Sequence, residues 1–281
     1  MIEIKNLKNW QAPDDWFEIQ TIDAHTGGEP LRIIISGFPN LKGTTLLEKR
    51  ASAKNDFDQI RKALMWEPRG HADMYGAIIV PPDTPDADFG VIFIHNEGYS
   101  TGCGHGVIAL TKAFVETGLI KKTEPVTEVR MDVPSGFIYS FAEVKNGEIT
   151  NIGFHNVPSF VQQMDSIVNV PGLGNIQYDL AFGGAYYAFV DVDQINLDCT
   201  QEYHDELIEM GMLIKNTISK SEYMLFTKNV KEICDLDYLG DVDKRIENCD
   251  GIGEVPVSVF YPNTGSVENS DIQSMSWFKR F

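Results

Sequence analysis

Residues 22–35 read IDAHTGGEPLRIII, and residues 178–191 read YDLAFGGAYYAFVD. Each carries an aspartate, three residues, a Gly-Gly pair and then a strand-like run. Glycine reaches the positive φ of a tight turn without steric cost, so Gly-Gly between β-branched and aromatic runs predicts strand, turn, strand. Each copy is followed by a segment with helical spacing: GTTLLEKRASAKNDFDQIRKALMWEPRG at 43–70, and CTQEYHDELIEMGMLIKNTISKS at 199–221. The first opens on threonines suited to an N-cap and stops at Pro68 and Gly70, giving one long or two short helices. The recurrence predicts two related halves, with the cleft between them as the natural ligand site.

Working outward, YGAIIV at 75–80 and GVIFI at 90–94 are strand-length apolar runs joined by the Pro/Asp-rich turn PPDTPDAD. The stretch GYSTGCGHGVI at 98–108 then leads into an apolar helix, GVIALTKAFVETGL, so the first half reads β-β-α-β-β-α. Residues 127–160 alternate in strand fashion, with turns at Pro134-Ser135-Gly136 and Asn146-Gly147, and read as a hairpin meander. The expected fold class is therefore mixed α/β (α+β), with residues 1–160 as a first subdomain and 161–281 as a second. In the tail, VPVSVF and YPNTGS mirror the strand and turn before Cys103, but no apolar helix follows them, so the second subdomain reads as incomplete or divergent after about residue 235.

Composition narrows the function classes. The chain has 281 residues, 43% of them hydrophobic, enough for a sizeable core. No apolar run approaches the roughly 20 residues a membrane helix needs. The formal charge of −18 would repel a phosphate backbone, so nucleic acid is not an expected partner. The N-terminus shows neither secretory nor organellar character, and Cys103, Cys199, Cys234 and Cys249 lack the density of a disulfide framework. A cytoplasmic protein acting on a small molecule is the expectation.

Cys103 stands between Gly102 and Gly104 where the helix begins. Unpaired N–H groups and the helix dipole there favour a thiolate, and the same N–H groups suit a substrate carboxylate, with His105 as hydrogen-bond partner. Free cysteine is also among the most buried residue types, so the residues alone leave packing open as its role. Asp23/His25 and His71/Asp73 are i, i+2 pairs with metal-ligand chemistry, read here as hydrogen-bonding pairs that fix loops. Tyr99, Phe182, Tyr186 and Tyr187 are read as structural, and His95, His155 and His204 have no recognisable partner.

The stretches DAHTGGEPLRI, EPRGHADMYGA, HNEGYSTGCGHGVIAL, NVPSF and AFGGAYYAFV, in this order, resemble the proline racemase family, closest to its trans-3-hydroxy-L-proline dehydratase branch. The resemblance implies a diaminopimelate epimerase-like fold of two pseudo-symmetric subdomains facing a cleft, and proton abstraction without cofactor or metal. It places Cys103 on the family's catalytic cysteine and Gly104 and His105 on substrate-binding positions. The implied reaction is dehydration of trans-3-hydroxy-L-proline to Δ1-pyrroline-2-carboxylate, by a homodimer. Racemisation or epimerisation of proline or hydroxyproline at the same site is the alternative, and an inactive imino-acid-binding relative is another. The family's second motif, Asp-Arg-Ser-Pro followed by Cys or Thr and Gly-x-Gly, is not found; the nearest stretch is YPNTGSV, where Thr264 and Gly265 follow the proline.

Overall fold

The structure is a computed structural model, and it describes residues 13, 16–220 and 259–261. Strands β1 (Gln20–Thr26) and β2 (Glu29–Ser36) form the first hairpin, with Thr26 opposite Glu29 across the two-residue Gly27-Gly28 turn. Both glycines take positive φ, 60° and 103°, which explains their presence at this turn. Helix α1 (Leu46–Met65) follows, then β3 (Tyr75–Val80), β4 (Phe89–His95), the short β5 (Tyr99–Ser100), helix α2 (Gly104–Glu116), β6 (Val126–Val133), β7 (Gly136–Lys145) and β8 (Glu148–His155).

These eight strands make one mixed sheet in the order β1-β2-β3-β4-β6-β7-β8, with β5 paired to β4. The pairings β2–β3 and β4–β6 are parallel, and each is bridged by a helix. The two helices lie on opposite faces. Val91 and Phe93 join Leu31, Ile33 and the α2 residues Val107, Leu110 and Phe114, whereas Ile92 and Ile94 join Ile34 and the α1 residues Leu46, Ala53 and Met65. Burial on both faces is why the central strands read as continuous apolar runs rather than alternating ones.

Local sequence fixes the helix that carries most of the first layer. Thr45 caps α1 in a reciprocal box: Glu48 N donates to Thr45 Oγ1 (3.2 Å) and Thr45 N to Glu48 Oε2 (3.0 Å). The helix is kinked at Phe57, which has non-helical dihedrals, so one long helix and two short ones both describe it.

A second, four-stranded sheet contains β9 (Phe160–Val170), β10 (Gly174–Phe182), β11 (Tyr186–Asp191) and β12 (Val259–Tyr261), in the order β12-β11-β10-β9. Helix α3 (His204–Ser219) covers it through Ile214 and Ile218, which are fully buried with Val170, Ile176, Leu180 and Val190. The Gly183-Gly184 hairpin is a three-residue turn, one longer than its counterpart, with Phe182 opposite Tyr186. Strand β9 is not foreseen from its polar, irregular sequence FVQQMDSIVNV; its register shifts and the positive φ of Asp165 show why. Among the described residues no helix is long and apolar enough to cross a membrane. The expectations placed on Cys234, Cys249, Thr264 and Gly265 lie outside the described residues.

Candidate active site

Helix α1 anchors the segment that delivers Cys103. Arg61, 4% exposed, donates through Nη1 to the carbonyls of His95 and Asn96 (2.8 Å each) while Asp58 neutralises it from the preceding turn (2.6 Å). Arg50 donates to Tyr99 O (2.6 Å), and the Tyr99 hydroxyl donates to Ala53 O (2.9 Å). Tyr99 is thus structural, as its sequence setting indicates. The buried guanidinium of Arg61 is tolerable because its charge and its donors are both met.

Cys103 is the N-cap residue of α2, with extended backbone (φ −156°, ψ 100°) and no side-chain cap bond. Gly106 lies directly beneath it: a Cβ there would come within 2.7 Å of the Phe93 ring and 3.0 Å of Cys103 Sγ. The third glycine of the run is thus a packing requirement.

Cys103 Sγ lies 3.5 Å from His105 Nδ1 and 3.6 Å from Nε2. His105 Nε2 is also 3.3 Å from Pro30 O. A carbonyl only accepts, so Nε2 carries the proton in that bond and a neutral imidazole then offers its Nδ1 lone pair to the thiol. Thr26 Oγ1 donates to His105 O (2.9 Å), so the β1–β2 hairpin grips the first turn of α2 at both ends of one residue. Tyr75 packs edge-on against the His105 ring, 4.9 Å between centroids.

The electrostatics depart from the expectation of a thiolate. Burial pushes the Cys103 thiol up to about 12; the Gly106 N–H works in the opposite direction and the Glu29 charge adds to the rise. Desolvation outweighs the helix terminus because the thiol is 9% exposed. Burial likewise lowers His105, against the pull of Glu29 and the Pro30 carbonyl. Both shifts favour the uncharged forms of the pair, thiol and imidazole, in the free protein.

The second sheet reaches this site through its glycine turn. Thr101 Oγ1 donates to Gly184 O (2.6 Å) and Asn156 Nδ2 to Gly183 O (2.9 Å). The buried Ser135 hydroxyl, without a hydrogen-bond partner among the described residues, sits where a Cβ on either Gly102 or Gly184 would be 3.4 Å away. Tyr187 is close enough to Cys103 for a charge on sulfur to raise its phenol further. Phe182 instead stacks on Phe160 at 5.3 Å, and Tyr186 meets the same ring edge-on at 6.3 Å.

The remaining candidates are structural. Asp23 pairs with Arg32 through two 2.8 Å bonds, His25 Nδ1 accepts from Gly28 N (3.3 Å), and His71 Nδ1 from Asp73 N (3.2 Å). His95 stacks on Tyr75, His155 lies among Tyr139 and Phe141, and His204 pairs with Asp205. Among the described residues no three His, Cys, Asp or Glu side chains gather as a metal site. Nothing in their local sequence marks Glu29, Tyr75 or Thr26 as neighbours of this pair. Their signal is strand parity around the Gly-Gly turn, usable only once α2 is known to lie on that face.

Comparison with known proteins identifies relatives along most of the chain. A trans-3-hydroxy-L-proline dehydratase of Colwellia psychrerythraea is 50% identical over 215 residues, covering 75% of this chain and 61% of the relative. A 3-hydroxyproline 2-epimerase of Burkholderia multivorans is 45% identical over 215 residues, 76% and 64% of the two chains. The crystal structure of a hydroxyproline epimerase from Agrobacterium vitis with bound trans-4-OH-L-proline superposes with a TM-score of 0.67 at 30% identity, over 72% of this chain and 60% of that one. The chain thus spans about three fifths of the length of these relatives. Residues 21–249 match the proline racemase family, and the chain belongs to it.

Proposed function

We propose that the chain dehydrates trans-3-hydroxy-L-proline to Δ1-pyrroline-2-carboxylate without a cofactor, with Cys103 as the base that removes the α-proton. The observation that carries this reading is the Cys103–His105 pair on one side of the site, 3.5 Å apart at the start of α2. Gly104 and His105 offer first-turn N–H groups to the substrate carboxylate. The two sheets are read as two subdomains, meeting at residues 156–160, with the site between them.

Stereochemistry suits a single pair. In the trans isomer the carboxylate and the hydroxyl lie on opposite ring faces, so the α-hydrogen and the hydroxyl share one face. The Sγ proton passes to His105 Nδ1, and the thiolate takes the α-proton. The C–H electron pair forms the ring double bond as the C3–O bond breaks, and the imidazolium proton leaves with the hydroxide as water. Thiol and imidazole are both restored, and the enamine tautomerises to the pyrroline. General acid and general base work of this kind contributes about 10²–10⁴-fold each.

Inversion at the α-carbon would need an acid on the opposite face. Among the described residues the other cysteine is Cys199, which is exposed. The epimerase names among the relatives nevertheless make inversion the second reading. Incubation with trans-3-hydroxy-L-proline and with each proline enantiomer, following pyrroline and optical rotation, tests both. Pyrroline formation supports dehydration; loss of rotation without pyrroline supports inversion.

A further inference from the structure

We propose that Glu29 is a substrate-binding residue of this site, whose carboxylate takes the secondary ammonium of the imino acid. The inference rests on the reading of the site given above. Strand parity provides its geometry. Leu31 and Ile33 of β2 are fully buried against α2, so Glu29, two residues earlier, projects to that same face beside the first turn of the helix. Its cross-strand partner is Thr26, whose hydroxyl holds His105 O, and its chain neighbour is Pro30, whose carbonyl holds His105 Nε2. Glu29 is therefore bracketed by the two contacts that dock the hairpin onto His105.

The charge balance points to a cationic ligand. Among the described residues, Tyr75 packs on the His105 ring, Tyr187 lies near Cys103, and Glu29 is the charge that acts on both Cys103 and His105. Among the described residues no cation pairs with this half-buried carboxylate. An imino acid arrives as a zwitterion, and with its carboxylate on the α2 N–H groups its ring nitrogen still needs an anion. Seating that nitrogen at Glu29 also cancels the carboxylate's repulsion of sulfur, so occupancy itself eases formation of the thiolate.

The test is calorimetric titration of the full chain and of Glu29→Gln, each with L-proline, an imino acid without the hydroxyl that elimination expels, and with cyclopentanecarboxylate, a ring acid lacking the nitrogen. Glu29→Gln is expected to weaken the imino acid about tenfold or more and to leave the nitrogen-free acid unchanged or tighter. Equal weakening of both ligands, or of neither, overturns the role of Glu29 while wild-type binding upholds the site. Absence of binding of either ligand to the wild type overturns the reading of the site and this proposal with it. Glu29→Asp, which keeps the charge, is expected to retain the preference for the imino acid. Independently of any ligand, iodoacetamide is expected to alkylate Cys103 faster in Glu29→Gln than in the wild type, followed on the Cys103 peptide by mass spectrometry. An unchanged rate would show that the carboxylate does not face the thiol.

Discussion

Cys103 Sγ and His105 Nδ1 lie 3.5 Å apart on the first turn of α2, with Nε2 of the same ring turned to the Pro30 carbonyl. The hairpin bond thus selects the tautomer whose free nitrogen faces sulfur. Because burial pushes the thiol up to about 12 from an ordinary 9.0, Cys103 in the folded free protein is expected to resist alkylation at pH 8 and react at the ordinary rate in denaturant. Peptide-resolved alkylation rates against pH check this.

The same shift couples to stability. The folded thiol keeps its proton where the unfolded one has lost it, so its contribution is fully present below about pH 9 and falls as pH rises toward 12. The fall is at most ~1.4 kcal/mol per pH unit. Denaturant titrations between pH 8 and 11 should show a steeper loss for the wild type than for Cys103→Ser, a difference that removes the contribution of the buried Tyr99 phenol, which is raised as well.

Gly106→Ala sets helix propensity against packing. Alanine is favoured over glycine in a helix interior by about 1 kcal/mol, but its methyl would press on Phe93 and Cys103 Sγ, and such overpacking costs ~1–3 kcal/mol. Thermal unfolding should therefore show a lower Tm. Turnover should also fall, because the sulfur is displaced.

Much of this architecture is legible in the sequence because the residues that create it act locally. The Gly-Gly hairpins, the Thr45 cap and the apolar runs of β3 and β4 each follow from turn chemistry or periodicity, and the structure shows them. The GCGHG run likewise marks the start of α2. What could not be read is what depends on burial. The sequence setting of Cys103 argues for a lowered thiol, and only the packing of Phe93, Val107 and their neighbours reverses the sign. Strand β9 escaped because its bulges break the alternation that betrays a strand, and Glu29 because its facing residue is distant in sequence.

Asp132 shows how far the supporting loops depend on single groups. It is 2% exposed and accepts from Asp83 N (2.8 Å), Thr84 N (2.7 Å) and the Thr84 hydroxyl (2.7 Å). Asp83 in turn accepts from Leu46 N at the start of α1 (2.7 Å). Asp132→Ala should cost about 3 kcal/mol in denaturant unfolding, since buried donors lose a charged acceptor.

Thr101 and Asn156 hold adjacent carbonyls of the Gly183-Gly184 turn. Thr101→Val should cost about 1 kcal/mol of stability. Combined with Asn156→Ala it should lose less than the two single changes added, because both act on one turn. A double-mutant cycle on unfolding free energy measures the coupling.

The central claim is that Cys103, with His105, performs a same-face elimination. The most direct measurement compares pyrroline formation from trans-3-hydroxy-L-proline and from cis-3-hydroxy-L-proline by the wild type and by Cys103→Ser. Turnover of the trans isomer, little or none of the cis, and a loss of about 10³-fold or more in Cys103→Ser are expected. Equal turnover of the two isomers, or undiminished activity in Cys103→Ser, would contradict the claim.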